Sequence, residues 1–238
     1  MDLKEEEILG DQVGSHWYYR AKAGALHRDL RHRMPREILD IGAGSGFFSR
    51  VLLKETSAER AVCVDTGYAG SRDEVWCGKP IAFRRSIERS DADLVLAMDV
   101  MEHVADDAAL MRSYSDLVAP GTRFIVSVPA FNFLWSSHDV FLEHHRRYTL
   151  GNLKAALRAA GLVVDWCHYY YAAVFPLAAA MRLLEHMKKR ETVELKSQLQ
   201  QHSPLVNGTL STLLAMERPV MGANKLFGLT AFAGCHKP

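Results

Sequence analysis

Two stretches of this 238-residue chain bring together residue types able to do chemistry. In the first, a short apolar run around Ile38, Leu39, Asp40 and Ile41 leads into Gly42, Ala43, Gly44, Ser45 and Gly46. Glycines directly after a strand let a ligand approach bare backbone at the carboxyl edge of a sheet. A dinucleotide loop of the GxGxxG type starting at Gly42 would need glycine at position 47, where Phe47 stands. Asp40, two residues before the first glycine, would repel a pyrophosphate. The same carboxylate suits a ligand bearing positive charge, such as an amino-acid ammonium or a sulfonium. Asp65 closes a second apolar run, a position from which a carboxylate can take two ribose hydroxyls. The second stretch, 135–149, holds His138, His144 and His145, the adjacent Arg146 and Arg147, and the acids Asp139 and Glu143.

Alternating strand and helix signals must position these groups. Helical spacing over 16–33 stops at Pro35, and strands are expected at 37–41, 61–64, 81–83 (weakly), 93–98, 123–128, 162–167 and 226–235. Between them, helices are expected at 47–55 with Ser45 as cap, from Asp106-Asp107 to about 117, and at 150–160 between Thr149 and Gly161. Such alternation implies an α/β fold with a mostly parallel sheet and helices on both faces. Residues 170–225 form a long insertion before the last strand, with helices expected at 172–187 and 210–220. The organisation is therefore an N-terminal helical cap, 1–35, and one domain over 36–238.

The chain resembles the class I S-adenosylmethionine-dependent methyltransferases. The run from Asp40 to Gly46 is similar to their first motif, Asp65 to their ribose-binding acid, and Asp99-Val-Met-Glu-His-Val104 to their fourth-strand motif. The Pro120-Gly121 turn before the fifth strand fits as well, and the resemblance covers roughly 36–170. It implies a Rossmann-like, doubly wound sheet of seven strands, the last antiparallel. It also implies S-adenosyl-L-methionine as cofactor, the methionine part near Asp40, Gly42, Ala43, Gly44 and Gly46, the ribose at Asp65, and the adenine near Ser86 and Ile87. Asp99 would line the methyl-donor end. One departure stands out: many members carry an acid after the third strand, where this chain reads Arg84-Arg85-Ser86-Ile87.

Within that resemblance, the segment 135–149 should lie over the methyl-donor end, because it follows the fifth strand. A hydroxyl acceptor would gain from a base, for which His138 and His144 are the candidates. An acceptor oxygen already ionised would want Arg146 and Arg147 instead, since a guanidinium fork matches two oxygens. The same arginines could pair with Asp139 or Glu143 and merely pin the loop. Tyr19, in the aromatic segment 16–20, is a candidate acceptor contact if that segment closes over the cleft. Ligand spacing on a defined helix is absent, so no metal is expected, and His103 reads as a supporting hydrogen-bonding group.

Composition limits the alternatives. At 48% hydrophobic and 24% charged residues the chain has the balance of an ordinary globule. A net charge of +1 argues against a nucleic-acid binder. That small sum conceals a basic block at 20–36 (+5) and an acidic block at 91–107 (−6). Cys63, Cys77, Cys167 and Cys235 show no metal-binding spacing and read as reduced thiols. The acidic start, Met1 to Glu7, is unlike a signal peptide, and the longest apolar run, thirteen residues from Tyr169 to Met181, is too short to span a bilayer. The expectation is a cytoplasmic enzyme, monomer or homodimer, methylating an oxygen of a small-molecule or lipid-linked acceptor, with peripheral membrane contact through the insertion as one option. A catalytically silent cofactor-binding scaffold is the alternative reading; nicotinamide-dependent oxidoreduction is disfavoured by Phe47 and Asp40.

Overall fold

The computed structural model describes residues 10–31, 33–187 and 203–238. Eight strands form one sheet: β1 (Glu37–Ile41), β2 (Arg60–Val64), β3 (Arg72–Trp76), β4 (Lys79–Arg84), β5 (Leu94–Met98), β6 (Arg123–Pro129), β7 (Val163–Tyr170) and β8 (Thr230–His236). Their spatial order is β3-β4-β2-β1-β5-β6-β8-β7. β4, β2, β1, β5 and β6 run parallel, while β8 is antiparallel to both β6 and β7. This is the Rossmann-like, mostly parallel arrangement that the alternation implies, with the last strand reversed. The sheet has eight strands rather than seven because β3 adds an antiparallel edge to β4.

Central strands are apolar throughout because helices cover both faces. All five residues of β5 are buried, and so are Ile38, Leu39 and Ile41 of β1. On one face pack α1 (Trp17–Leu30), α2 (Phe47–Glu55) and α7 (Pro204–Glu217), through Leu26, Leu30, Phe48, Leu52 and Leu214. On the other pack α3 (Asp107–Asp116) and α5 (Leu150–Ala159), through Met111, Leu153 and Leu157. A short α4 (Ser137–Phe141) follows β6, and α6 (Phe175–Met187) opens the insertion. Asp106 and Thr149 cap α3 and α5 through their side chains, as expected. The cap of α2 is Gly46 at φ 73°, not Ser45. A Cβ there would lie 3.1 Å from both Cys63 Sγ and the Phe83 ring, so the turn into α2 excludes a side chain.

The insertion's second helix begins earlier than expected, at Pro204 in the first helical position with Ser203 as cap. Glu217, at the end of α7, accepts the Ala172 and Ala173 N–H groups at 2.9 and 3.0 Å and ties the insertion to the end of β7. Residues 226–229 precede β8 instead of belonging to it. Leu177, Leu183 and Leu184 of α6 and Leu205 and Met216 of α7 are exposed. Among the described residues no helix is long and apolar enough to cross a membrane.

The chain moves outward from β1 to β2 and β4, then returns to β5 and continues outward to β6. β1 and β5 are therefore neighbours at a switch point, and a crevice opens beyond their carboxyl ends. Gly42 follows β1 and Asp99 follows β5, so the two conspicuous motifs meet there.

Candidate active site

Two cavities lie along this carboxyl edge. The first, about 340 Å³, is lined by Gly42, Asp65, Thr66, Asp99, His103, Leu110 and Tyr114 among others. The second, about 240 Å³, is lined by side chains that include Trp17, Tyr18, Glu102, His138, His144 and Arg147. Asp99 and His103 belong to both linings, so the cavities share a wall.

In the first cavity Gly42 presents backbone at φ 59°. A Cβ on it would sit 2.7 Å from Val100 Cγ2, across the gap between the β1 and β5 loops. Asp65 accepts the Gly44 N–H at 3.1 Å and the Gly67 N–H at 2.8 Å, which fixes both its carboxylate and the glycine loop. Ala43 donates its N–H to the Val64 carbonyl at 3.2 Å, and with Gly44 and Gly46 it shapes the loop from behind the lining. Asp40 lies beneath the loop, 1% exposed, accepting the Ser49 hydroxyl at 2.8 Å. Burial pushes its carboxyl up to about 6, against the pull of that hydrogen bond. Ser86 and Ile87, expected at the adenine, line a separate depression with Glu37, Arg60 and Val62. Thr66, Leu110 and Tyr114 stand in the Asp65 cavity instead, and α3 was not nominated from sequence because its apolar residues read as core.

Asp99 holds a positive φ of 57°, a conformation that Asp tolerates better than most residues and that is enriched at functional sites. Ser127 Oγ donates to its Oδ1 at 3.2 Å, and Lys22 Nζ donates to its Oδ2. Lys22, on α1, is wholly buried and also donates to the Tyr18 hydroxyl at 2.7 Å. Burial alone would lower the Lys22 pKa; Asp99 and Tyr18 more than offset it, and the ammonium stays charged. Burial likewise works to raise Asp99, but Lys22 holds its carboxyl below the usual range. Sequence reasoning missed Lys22, since a lysine among the charges of 20–36 reads as solvated.

The second cavity takes its floor from α1 and its walls from the segment after β6. Trp17 and Tyr18 face it, whereas Tyr19, the residue expected there, is 1% exposed and packed on Phe47 and Phe48. Asp139 is buried at the centre of the histidine-rich segment. It receives Arg147 through Nε at 2.6 Å and Nη2 at 3.0 Å, and its Oδ1 lies 3.0 Å from His144 Nδ1. Burial would raise the Asp139 carboxyl, but His144 and Arg147 hold it far below its ordinary value. Arg147 thus lines the cavity with its fork already occupied. Arg146 points elsewhere, to Asp107 at 3.4 Å and the Val104 and Ala105 carbonyls, and does not line the cavity. The pairing with Asp139 weighed from sequence describes the geometry of Arg147, whereas Arg146 pairs with Asp107 and not with Asp139 or Glu143. His138 is half-buried on the cavity wall.

Glu102 is fully buried, and among the described residues neither carboxylate oxygen has a hydrogen-bond partner. Burial and the adjacent Asp99 push its carboxyl well above the ordinary range. The His103 and His144 rings meet edge to face, 4.6 Å between centroids.

Residues 15–165 match a family model described as a methyltransferase domain. A ubiquinone biosynthesis O-methyltransferase of Aeromonas salmonicida is 29% identical over 188 residues, covering 67% of this chain and 75% of that protein. Among solved structures, a putative methyltransferase of Haloferax volcanii, in complex with the activator Trm112, superposes with a TM-score of 0.54 at 16% identity, covering 95% of this chain and 92% of its own. An S-adenosylmethionine-dependent methyltransferase of Mesorhizobium loti gives 0.52 at 15% identity, covering 91% of this chain and all of its own.

Proposed function

The chain belongs to the methyltransferase-domain family and is an S-adenosylmethionine-dependent enzyme; from that premise we propose that it methylates a hydroxyl oxygen of a compact, ring-bearing small molecule held in the second cavity. The observation that carries this reading is the pair of adjoining cavities that meet at Asp99 and His103. Oxygen as the methylated atom has further support in the O-methyltransferase relative, and the aromatic and apolar walls suit a ring.

The residues of the first cavity fit the cofactor. Gly42 leaves room that a Cβ would fill, and Asp65 is a fixed carboxylate for ribose hydroxyls. Asp99 lies at the wall between the cavities, where a cation is welcome. When bound, S-adenosylmethionine supplies an electrophilic methyl carbon on sulfur. The protein's share of the work is positioning and exclusion of water, because displacement at carbon needs the acceptor in line at near contact distance. Trp17 and Tyr18 enclose the acceptor, and Lys22 from beneath keeps Asp99 ionised and oriented. His138 accepts the acceptor's proton, a role worth typically 10²- to 10⁴-fold in rate.

The test is transfer of isotopically labelled methyl groups to a panel of phenols, aliphatic alcohols, amines and carboxylates, with product analysis by mass spectrometry. Methyl ethers from hydroxylated rings are expected, with His138→Asn lowering kcat far more than it raises KM. Methylation confined to amines or carboxylates would overturn the oxygen assignment.

A further inference from the structure

An ionised carboxylate buried without a donor is costly, so a dry site that holds a carboxyl group favours either a proton or a cation on it. Glu102 is in that position beside two imidazoles. One ligand atom each from Glu102, His103 and His144 lie within 4.8 Å of one another. A tetrahedral zinc site with bonds of 2.0–2.2 Å spaces its ligands about 3.4 Å apart, so a small side-chain rotation closes the set. Two segments supply the three residues, Glu102 and His103 from the 3₁₀ turn Met101–His103 and His144 from the segment after α4. A backbone hydrogen bond, His145 N–H to the Glu102 carbonyl at 2.7 Å, holds those loops together. No spacing rule along the chain could reveal such a set, which is why the sequence spoke against a metal.

His144 is further prepared by Asp139. With Nδ1 3.0 Å from a buried carboxylate, the ring keeps Nε2 as its available lone pair. A carboxylate–histidine pair of this kind fixes the tautomer and raises the basicity of a metal-bound imidazole. Arg147 spans both oxygens of the same carboxylate, sharing Oδ1 with His144 and holding Oδ2 through Nη2, so the orientation is built rather than incidental.

We propose that Glu102, His103 and His144 bind one divalent transition-metal ion, zinc being the natural match to two imidazoles and a carboxylate, with its open position turned into the acceptor cavity. All three residues line that cavity, and His103 also lines the cofactor cavity. The ion therefore stands where the acceptor oxygen must stand. This role rests on the O-methylation reading above. The acceptor hydroxyl binds the open position and loses its proton to His138. The resulting oxygen anion forms a bond to the methyl carbon as the carbon–sulfur bond breaks, and the sulfur leaves as a neutral thioether. Metal coordination lowers the acceptor's pKa, the effect it has on bound water.

The deciding experiment measures metal uptake without cofactor or acceptor. The full-length protein, stripped with a chelator, is titrated with Zn²⁺ against a chromophoric competitor, and with Co²⁺ as an optical reporter. One equivalent bound with micromolar or tighter affinity is expected, with cobalt bands characteristic of low coordination by nitrogen and oxygen. Glu102→Gln and His144→Ala should each weaken zinc binding by more than about 100-fold, and Asp139→Asn by about 10- to 100-fold, with circular dichroism confirming that each is folded. His236→Asn, at the outer edge of the sheet, should change nothing. Failure of the parent protein to bind zinc tightly, or tight binding indifferent to Glu102→Gln and His144→Ala, overturns the proposal. If uptake fails while hydroxyl methylation persists in chelator, the metal is wrong and the O-methylation reading stands. If one equivalent binds at these residues but no hydroxyl is methylated, the site is right and the acceptor assignment falls.

Discussion

Replacing Lys22 with methionine removes the positive member of a buried pair while keeping chain length and helix propensity close to the original. The Lys22 side chain is 0% exposed and that of Asp99 21%. Breaking a buried pair by deleting one partner costs about 3–5 kcal/mol, because the other charge stays buried and uncompensated. Partial exposure of Asp99 and the surviving Ser127 hydrogen bond place Lys22→Met near the lower end, about 3 kcal/mol. For a protein of this size that lowers Tm by about 6–12 °C. Neutralising the orphan with Asp99→Asn in the same chain should recover most of the loss, since the penalty lies in the unpaired charge. Urea unfolding of the parent, both single variants and the double variant, without cofactor, gives the coupling energy. A coupling below about 0.5 kcal/mol, or a Lys22→Met protein as stable as the parent, would refute the argument that α1 is locked to the methyl-donor end through this pair.

Other expectations are more compact. Asp65→Ala removes two backbone hydrogen bonds as well as the ribose contact and should weaken S-adenosylhomocysteine binding by about 100-fold or more in calorimetry; unchanged affinity refutes the assignment. Asp40 in the folded protein titrates near 6, above its unfolded value of about 3.9, so the folded state holds the extra proton between those values. Stability relative to Asp40→Asn should therefore fall by about 2–3 kcal/mol as pH rises from 4 to 6.5 and stay level above that; urea midpoints of both proteins across this range check it. Arg146→Ala should cost about 1–2 kcal/mol through its lost contacts with Asp107 and two carbonyls, yet leave the acceptor KM unchanged in steady-state assays.

The glycine loop and the acid after β2, the proposed cofactor half of the site, were readable as local structure because their requirements are local. A glycine that must hold φ 59° against Val100 and an acid at a strand end are consequences of a few consecutive residues. The buried strands were readable for the same reason, as β5 is apolar at every position. β3 was not: its residues, Arg72 to Trp76, are charged or exposed, and its two-residue turn, Cys77-Gly78 at φ 52° and 78°, carries none of the usual Asn-Gly or Asp-Gly signal. The proposed acceptor half resisted because tertiary contacts assemble it. Lys22 reaches Asp99 across 77 positions, and His145 reaches the Glu102 carbonyl across another long separation. Tyr19 and its neighbours Trp17 and Tyr18 are equally aromatic; only the packing of α1 decides which of them faces the cavity.

The charge sorting along the chain acquires a physical meaning from β5. Asp93, just before that strand, accepts the Arg36 and Glu37 N–H groups at 2.9 Å each, and Asp99, just after it, takes Lys22. The basic segment is therefore fastened to the acidic one at both ends of the same strand. Asp106 caps α3, Asp107 takes Arg146 and the Tyr148 hydroxyl, and Asp91 lies 3.8 Å from Arg89. Of the six acids in this block, Glu102 is the one buried with neither oxygen hydrogen-bonded among the described residues. Caps, backbone contacts and ion pairs account for its neighbours, which leaves Glu102, among the described residues, as the carboxylate open to a ligand. A carboxyl group buried on the wall of the second cavity, against two histidines, is the feature that the proposed metal ion accounts for.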